Sequence, residues 1–307
     1  INQITEEDKI LMLGSCFSDH VSGFLEKDKI EVVSNVFGVL FHPSSIFKLL
    51  KRACLNGDYD AGDFFEHDNY WFNYEFHGSN AKTNVQEAVQ SANENLKKLR
   101  KAIVDQEFFF LTFGSASGYY LDGSMVANCH KQNSNLFENR FSTIEELGTD
   151  FREVQELLCQ KNPNLKVVLT VSPVQYLREG LVGNRRSKSL LNVFFHDMVE
   201  EYSNTSYFPS YELIADELRD YSFYKDDKAH PNEKAQLFVY SHFKEFYFSE
   251  RLKKRTIDLN KIQAQLHHKT LFPYSASNFR FKEKLMNELI RFENQYQVEM
   301  IAEKSGV

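Results

Sequence analysis

The stretch Ile10-Leu11-Met12-Leu13-Gly14-Ser15-Cys16-Phe17-Ser18 constrains this chain more than any other. Four consecutive apolar residues suit a short strand buried on both faces, and the glycine after them lets the backbone leave it sharply. Phe17, Val21, Phe24 and Leu25 then recur at i, i+4, i+7 and i+8, the buried stripe of a helix. Strand, tight turn and helix form the opening unit of an α/β sheet, with Cys16 at the hand-over. Ligands of open α/β sheets bind at such strand ends, and the free N–H groups of a helix start favour negative charge. A thiol placed there is expected to ionise more easily than an ordinary one, which makes Cys16 the candidate nucleophile. The structural alternative is a small buried hydrophobe beside a capping Ser15.

The same rhythm continues downstream. Residues 30–36 read as a second strand, followed by a loop from Asn35 to Pro43 centred on Gly38. Ser44-Ser45 then caps a helix with Ile46, Leu49, Leu50 and Ala53 on one face. A helix is expected over 84–104, and Phe108–Phe113 is a fully apolar central strand closed by a flexible Gly114-Ser115-Ala116-Ser117-Gly118 loop. Another helix (143–160) and strand (166–171) follow, the strand leaving through Ser172-Pro173. Leu190, Val193, Phe194, Met198 and Val199 mark the next helix, and residues 207–209 a last short strand. This alternation predicts a doubly wound α/β sheet.

Two regions stand outside the rhythm. Residues 57–80 alternate aromatic and polar side chains around Asp68-Asn69, which predicts a β-hairpin insertion over one end of the sheet, able to offer Trp71, His67 or His77 to a pocket. Beyond the α/β domain (1–250), a helical extension is expected over 251–307. Arg251–Arg255 forms a solvated, mostly basic face, and a long helix from Asn278 to Ala302 carries Leu285, Leu289, Phe292 and Tyr296. That apolar stripe needs a partner surface. Packing on its own domain is favoured, with a homodimer left open.

Charge and composition narrow the function. The net charge of −7 comes from 36 basic and 43 acidic residues without a basic stripe, so nucleic acid is not an expected partner. No apolar run approaches the ~20 residues of a membrane span. Cys16, Cys54, Cys129 and Cys159 are scattered without CxxC spacing, which predicts reduced thiols and a cytoplasmic location; opening on Ile1 rather than Met leaves a removed signal peptide open. No pair among His42, His67, His77, His130 and Cys129 has a recognised ligand spacing, so neither metal nor cofactor is expected.

A second chemical signal lies in Tyr224-Lys225-Asp226-Asp227-Lys228-Ala229-His230-Pro231-Asn232. Pro231 suits the first turn of a helix that Ala235, Phe238, Val239, His242 and Phe246 continue as a buried stripe. His230 is the third residue after Asp227. The carboxylate can therefore accept from one imidazole nitrogen while the other faces outward, which is the orienter and base of a nucleophilic triad. Val126-Ala127-Asn128-Cys129-His130-Lys131 reads as strand-like, so at most half of its polar groups can face one site.

Taken together, Gly14-Ser15-Cys16-Phe17, the Gly38 loop, the Gly114 loop and Asp227-x-x-His230-Pro231 resemble the block order of SGNH, or GDSL-like, hydrolases. The run from about Ile10 to Phe246 resembles the GSCFA family more closely, through the segments 37–43, 126–131, 170–174 and 208–212. This resemblance implies a three-layer α/β/α fold around about five parallel strands. It also implies a Cys16–His230–Asp227 triad, with an oxyanion hole formed by the backbone N–H groups of Cys16 and Gly38. The third block departs from the SGNH pattern: Gly114-Ser115-Ala116-Ser117 stands where Gly-x-Asn-Asp is usual. Loss of one such donor costs roughly 3 to 4 kcal/mol of transition-state stabilisation. Asn35, Asn128 and His130 are the candidate replacements, with Ser115 a further binding contact. The expectation is a cysteine-dependent acyl hydrolase or acyltransferase, esterase- or thioesterase-like, acting on a small acyl substrate such as an acylated carbohydrate. The alternative is a non-catalytic module that binds a carbohydrate or acyl chain in the same cleft.

Overall fold

The computed structural model describes residues 3–268 and 270–300. Its first half runs β1 (Ile10–Gly14), α1 (Cys16–Lys27), β2 (Val32–Ser34), α2 (Pro43–Cys54), β3 (Phe65–His67), β4 (Tyr70–Phe72), α3 (Val85–Asp105), β5 (Phe108–Phe113), β6 (Ser117–Leu121), β7 (Ser124–Val126) and β8 (Glu138–Phe141). The second half adds α4 (Ile144–Lys161), β9 (Lys166–Val171), α5 (Gly180–Glu201), β10 (Thr205–Tyr207), the short α6 (Ser210–Glu212), α7 (Glu233–Tyr247), α8 (Glu250–Leu266) and α9 (Ala276–Tyr296).

Five of the strands form a parallel sheet in the order β10-β9-β5-β1-β2. Alternate side chains of its central strands feed two apolar layers, as the two-residue period of a strand requires. Leu11, Leu13, Phe109, Leu111, Phe113, Val167, Leu169 and Val171 enter one layer with α2, α3, α4 and α5. Ile10, Met12, Phe108, Phe110 and Val168 enter the other with α1 and α7. This is the three-layer α/β/α arrangement. Each fully buried Leu or Phe contributes about 1.5 to 3 kcal/mol, so both layers are needed to hold the sheet. The chain leaves β1 and β5 toward opposite layers. The crevice between their C-terminal ends is thus the topological switch point where ligands of such sheets bind.

At that point Gly14 has φ +144°, and a Cβ on it would collide with the Thr112 carbonyl oxygen across the β1–β5 pairing. Only glycine permits so close an approach of the two backbones.

The expected hairpin is present. β3 and β4 pair antiparallel through Phe65–Phe72, Glu66–Trp71 and His67–Tyr70, and Asp68 and Asn69 both take positive φ as a two-residue primed turn demands. A second antiparallel sheet, β7-β6-β8, was not expected. Ser117 and Gly118 open β6 rather than a flexible loop, and residues 128–131 form a turn in which His130 and Lys131 have positive φ, rather than a strand. Single short strands with mixed polarity carry little periodic signal until their partners are known.

Two helices are rotated or shifted from expectation. α7 starts at Glu233 with Asn232 as its cap, so Pro231 precedes the helix. Its buried face is Ala235, Gln236, Val239, Tyr240, Phe243 and Tyr247, while Phe246 is exposed. Aromatic residues occupy both candidate faces, so hydropathy does not set the rotation. A hydrogen bond from the Tyr240 hydroxyl to Asp28 Oδ2, 2.6 Å, fixes the observed one. In the C-terminal region, α9 runs from Ala276 to Tyr296; the expected end at Ala302 lies outside the described residues. Leu285, Leu289, Phe292 and Tyr296 pack against Leu259 and Ile262 of α8 in a small core of their own. Arg255 of α8, 1% exposed, donates to the main-chain oxygens of Asp28 and Lys29 and ties this pair of helices to the sheet domain.

Candidate active site at the strand ends

Ser15 caps α1, its Oγ accepting from the N–H of Phe17. The cap is held from both sides: its own N–H donates to Thr112 O at 2.9 Å and its hydroxyl donates to Ser172 Oγ at 3.0 Å. These bonds bury Ser15 and leave Cys16, the first residue of the helix, half-buried with its side chain at the crevice.

The helix start does not ease ionisation of this thiol as expected. Burial and the Asp19 carboxylate push the Cys16 pKa above its ordinary value, and its own backbone N–H, Lys225 and Lys188 offset them only in part. Desolvation of a half-buried sulfur outweighs the attraction of the helix terminus. Cys16 therefore rests as a thiol and needs a proton acceptor to become a nucleophile.

Asp227 and His230 meet as their spacing predicted. His230 Nδ1 lies 2.7 Å from Asp227 Oδ2, and the N–H groups of Ala229 and His230 donate to Oδ1 at 2.9 and 3.0 Å. These donors hold the Asp227 carboxyl down at about 2. A carboxylate so placed selects the tautomer with the proton on Nδ1, leaving Nε2 as an acceptor. Among the described residues Nε2 has no hydrogen-bond partner. Gln175 N, just past the end of β9, donates to Ala229 O at 2.9 Å and draws this loop onto the strand ends. Lys225 in the same loop acts electrostatically on both Cys16 and His20, and His230 acts on His20. No hydrogen bond joins the Cys16 thiol to His230 among the described residues.

The remaining candidates are committed to structural partners. Asn35 accepts from Gly14 N at 2.8 Å and donates to Asp19 at 2.6 Å, clamping the β1 exit to the first turn of α1. Gly38 N donates to Asn35 O at 2.7 Å; its φ of +76° and the approach of His77 Cβ to the site of any side chain restrict the position to glycine. Ser115 is fully buried, bonded to the Ser117 main chain and Ser187. Asn128 accepts from His130 N within its own turn. His130, 5% exposed, places Nε2 at 2.8 Å from Asn73 O and its ring 4.7 Å from Phe72, against the hairpin. Of the two expected oxyanion N–H donors, that of Gly38 is taken by Asn35 O, while that of Cys16 has no backbone acceptor among the described residues. Among the described residues no group of three His, Cys, Asp or Glu is placed to hold a metal, and no helix is long and apolar enough to cross a membrane.

Lys188 was missed. It lies on the inward face of α5 with Asn184, Ser187, Leu191, Phe195 and Met198. The expected stripe through Val193 was displaced, since Val193 is 49% exposed. A lysine three and seven residues before buried apolar positions was the available signal. Beyond β9, Tyr176 lies tilted against Phe41 with ring centroids 5.5 Å apart, and Arg178 donates to the Tyr119 hydroxyl at 3.3 Å.

The sequence pattern of the GSCFA family matches residues 9–243. No curated protein matches the chain by sequence. Among solved structures, a carbohydrate esterase family 3 protein from Talaromyces cellulolyticus aligns at 7% identity and TM-score 0.37, covering 82% of this chain and 99% of its own. An acetyl xylan esterase from the rumen bacterium Butyrivibrio proteoclasticus aligns at 10% identity and TM-score 0.36, covering 80% of this chain and 65% of its own. Likenesses at these scores bear on neither fold nor activity.

Proposed function

The chain belongs to the GSCFA family, and from that premise and the strand-end geometry we propose that it is an acyl hydrolase with Cys16 as nucleophile, His230 as base and Asp227 as orienter. The observation that carries this reading is the Asp227–His230 pair, a 2.7 Å contact that leaves Nε2 open beside the switch point. Because the thiol rests protonated, His230 Nε2 takes the Sγ proton as the sulfur attacks the acyl carbon. The Cys16 N–H, at the start of α1, donates to the oxygen that becomes negative. Collapse of the tetrahedral intermediate breaks the ester C–O bond, and His230 returns the proton to the departing alcohol. Water, or another hydroxyl in a transfer reaction, then attacks the thioester as His230 takes its proton; the C–S bond breaks, the acid or new ester leaves, and His230 returns the proton to Sγ. An acylated carbohydrate is one substrate of this class.

The test is Cys16→Ala assayed on p-nitrophenyl acetate. Turnover is expected to vanish while circular dichroism and Tm stay those of the wild type. Undiminished hydrolysis in the folded variant would rule out Cys16 as the nucleophile, and no hydrolysis by the wild type would favour a binding module on the same fold.

A further inference from the structure

One buried charge at the strand ends has no part in the triad. Lys188 is 1% exposed, and its ammonium donates to the main-chain oxygens of Gly114 at 2.6 Å and Ser172 at 2.8 Å. Those residues immediately follow β5, which pairs with β1, and β9, the next strand beyond β5. Ser172 also accepts, through Oγ, the hydroxyl of Ser15, and Ser15 N donates to Thr112 O in β5. Lys188 is thus two residues removed, by hydrogen bonds, from the nucleophile itself. A strut between two carbonyls requires only a neutral donor. A lysine in that place brings a desolvated charge, which costs several kcal/mol unless something at the site uses it.

Resting on the nucleophilic role of Cys16, we propose that Lys188 is a positioning residue whose ammonium, held between the Gly114 and Ser172 carbonyls, favours ionisation of the Cys16 thiol. The charges that face Cys16 are Asp19 on its own helix, which opposes ionisation, and Lys225 and Lys188, which promote it. Those that act on Lys188 are Glu179 and Cys16, both favouring its charged form. Burial nevertheless lowers the Lys188 pKa to about 7. Its help is therefore full below neutrality and fades as the pH rises past it. By thermodynamic linkage the thiolate favours the ammonium by the same factor.

Alkylation of Cys16 by iodoacetamide, followed by mass spectrometry across the pH range, reads this directly in wild type and Lys188→Met. Below neutral pH the wild type is expected to react several-fold faster, with the two profiles converging on the alkaline side where Lys188 is uncharged. A strut alone would lower Tm without changing the shape of the profile, so superposable profiles overturn the proposal. If Lys188→Met does not fold, the wild-type alkylation profile is set beside the Lys188 midpoint read by ¹³Cε-lysine NMR. The rate is expected to rise less than tenfold per pH unit across that midpoint, as the ammonium's help is lost, and an even tenfold rise through it overturns the proposal. Neither readout involves an ester, so ester turnover in Cys16→Ala judges the acyl-transfer reading separately.

Discussion

His230 and His130 are both imidazoles in tight turns, and their surroundings make them different chemical objects. His230 has a side chain 41% exposed, a carboxylate on Nδ1 and an open Nε2. His130 is 5% exposed, spends Nε2 on the Asn73 main chain, and lies against Phe72, Tyr74 and Phe65. Burial and its two neighbours His77 and His67 lower the His130 pKa, so it stays neutral. The contrast shows that what holds an imidazole's far nitrogen, and whether its near one is reachable, decides whether the ring is free to exchange a proton. Histidine beside cysteine in sequence, as at Cys129-His130, signals nothing without that environment.

The contrast is sharpest in turnover. His230→Ala is expected to lower kcat/KM for an activated ester by about 10²- to 10⁴-fold, the usual worth of a general base, with Tm unchanged. Full activity in that variant would erase the distinction between the two imidazoles.

A third imidazole extends the comparison to stability. His42 is fully buried, accepts from Ser44 N on Nδ1 and faces Ala116 O with Nε2, so it is neutral and its pKa falls to about 4. The unfolded chain binds this proton near pH 6.5 while the folded one resists it. Stability is therefore whole above pH 6.5 and lost as the pH falls toward 4, by roughly 3 kcal/mol. Urea unfolding at several pH values should show that slope in wild type and a flatter one in His42→Asn, which keeps a helix cap.

The smallest effect is expected at His130. His130→Ala removes one hydrogen bond to a main-chain oxygen and a ring tilted against Phe72, and should cost about 1 to 2 kcal/mol. Turnover per folded molecule should match the wild type. A large loss of activity without destabilisation would move His130 into the site and break the comparison from the other side.

Local features were legible in the chain. The Ile10–Leu13 run, the glycine after it and the helical stripe through Val21 predict β1, the sharp exit and α1, because each depends on neighbours within a turn or two. The Asp227–His230 contact was legible for the same reason: three residues of fixed turn leave the two side chains few places to go. The two-residue and 3.6-residue periods likewise predict the alternation that builds the sheet.

What the tertiary structure alone decided are the partners of groups that could have served several roles. Asn35 and Gly38 have the chemistry of oxyanion donors, yet Gly14, Asp19 and their own turn claim their hydrogen bonds. The rotation of α7 depends on Asp28, more than two hundred residues upstream of Tyr240. The ionisation of Cys16 depends on its depth and on Asp19, Lys225 and Lys188, which the fold gathers from α1, the His230 loop and α5. The types of residue and their local spacing determined which chemistry this chain can hold. Burial and long-range hydrogen bonding decided which of those groups are free to act, because both depend on distances in space that the order of residues does not contain.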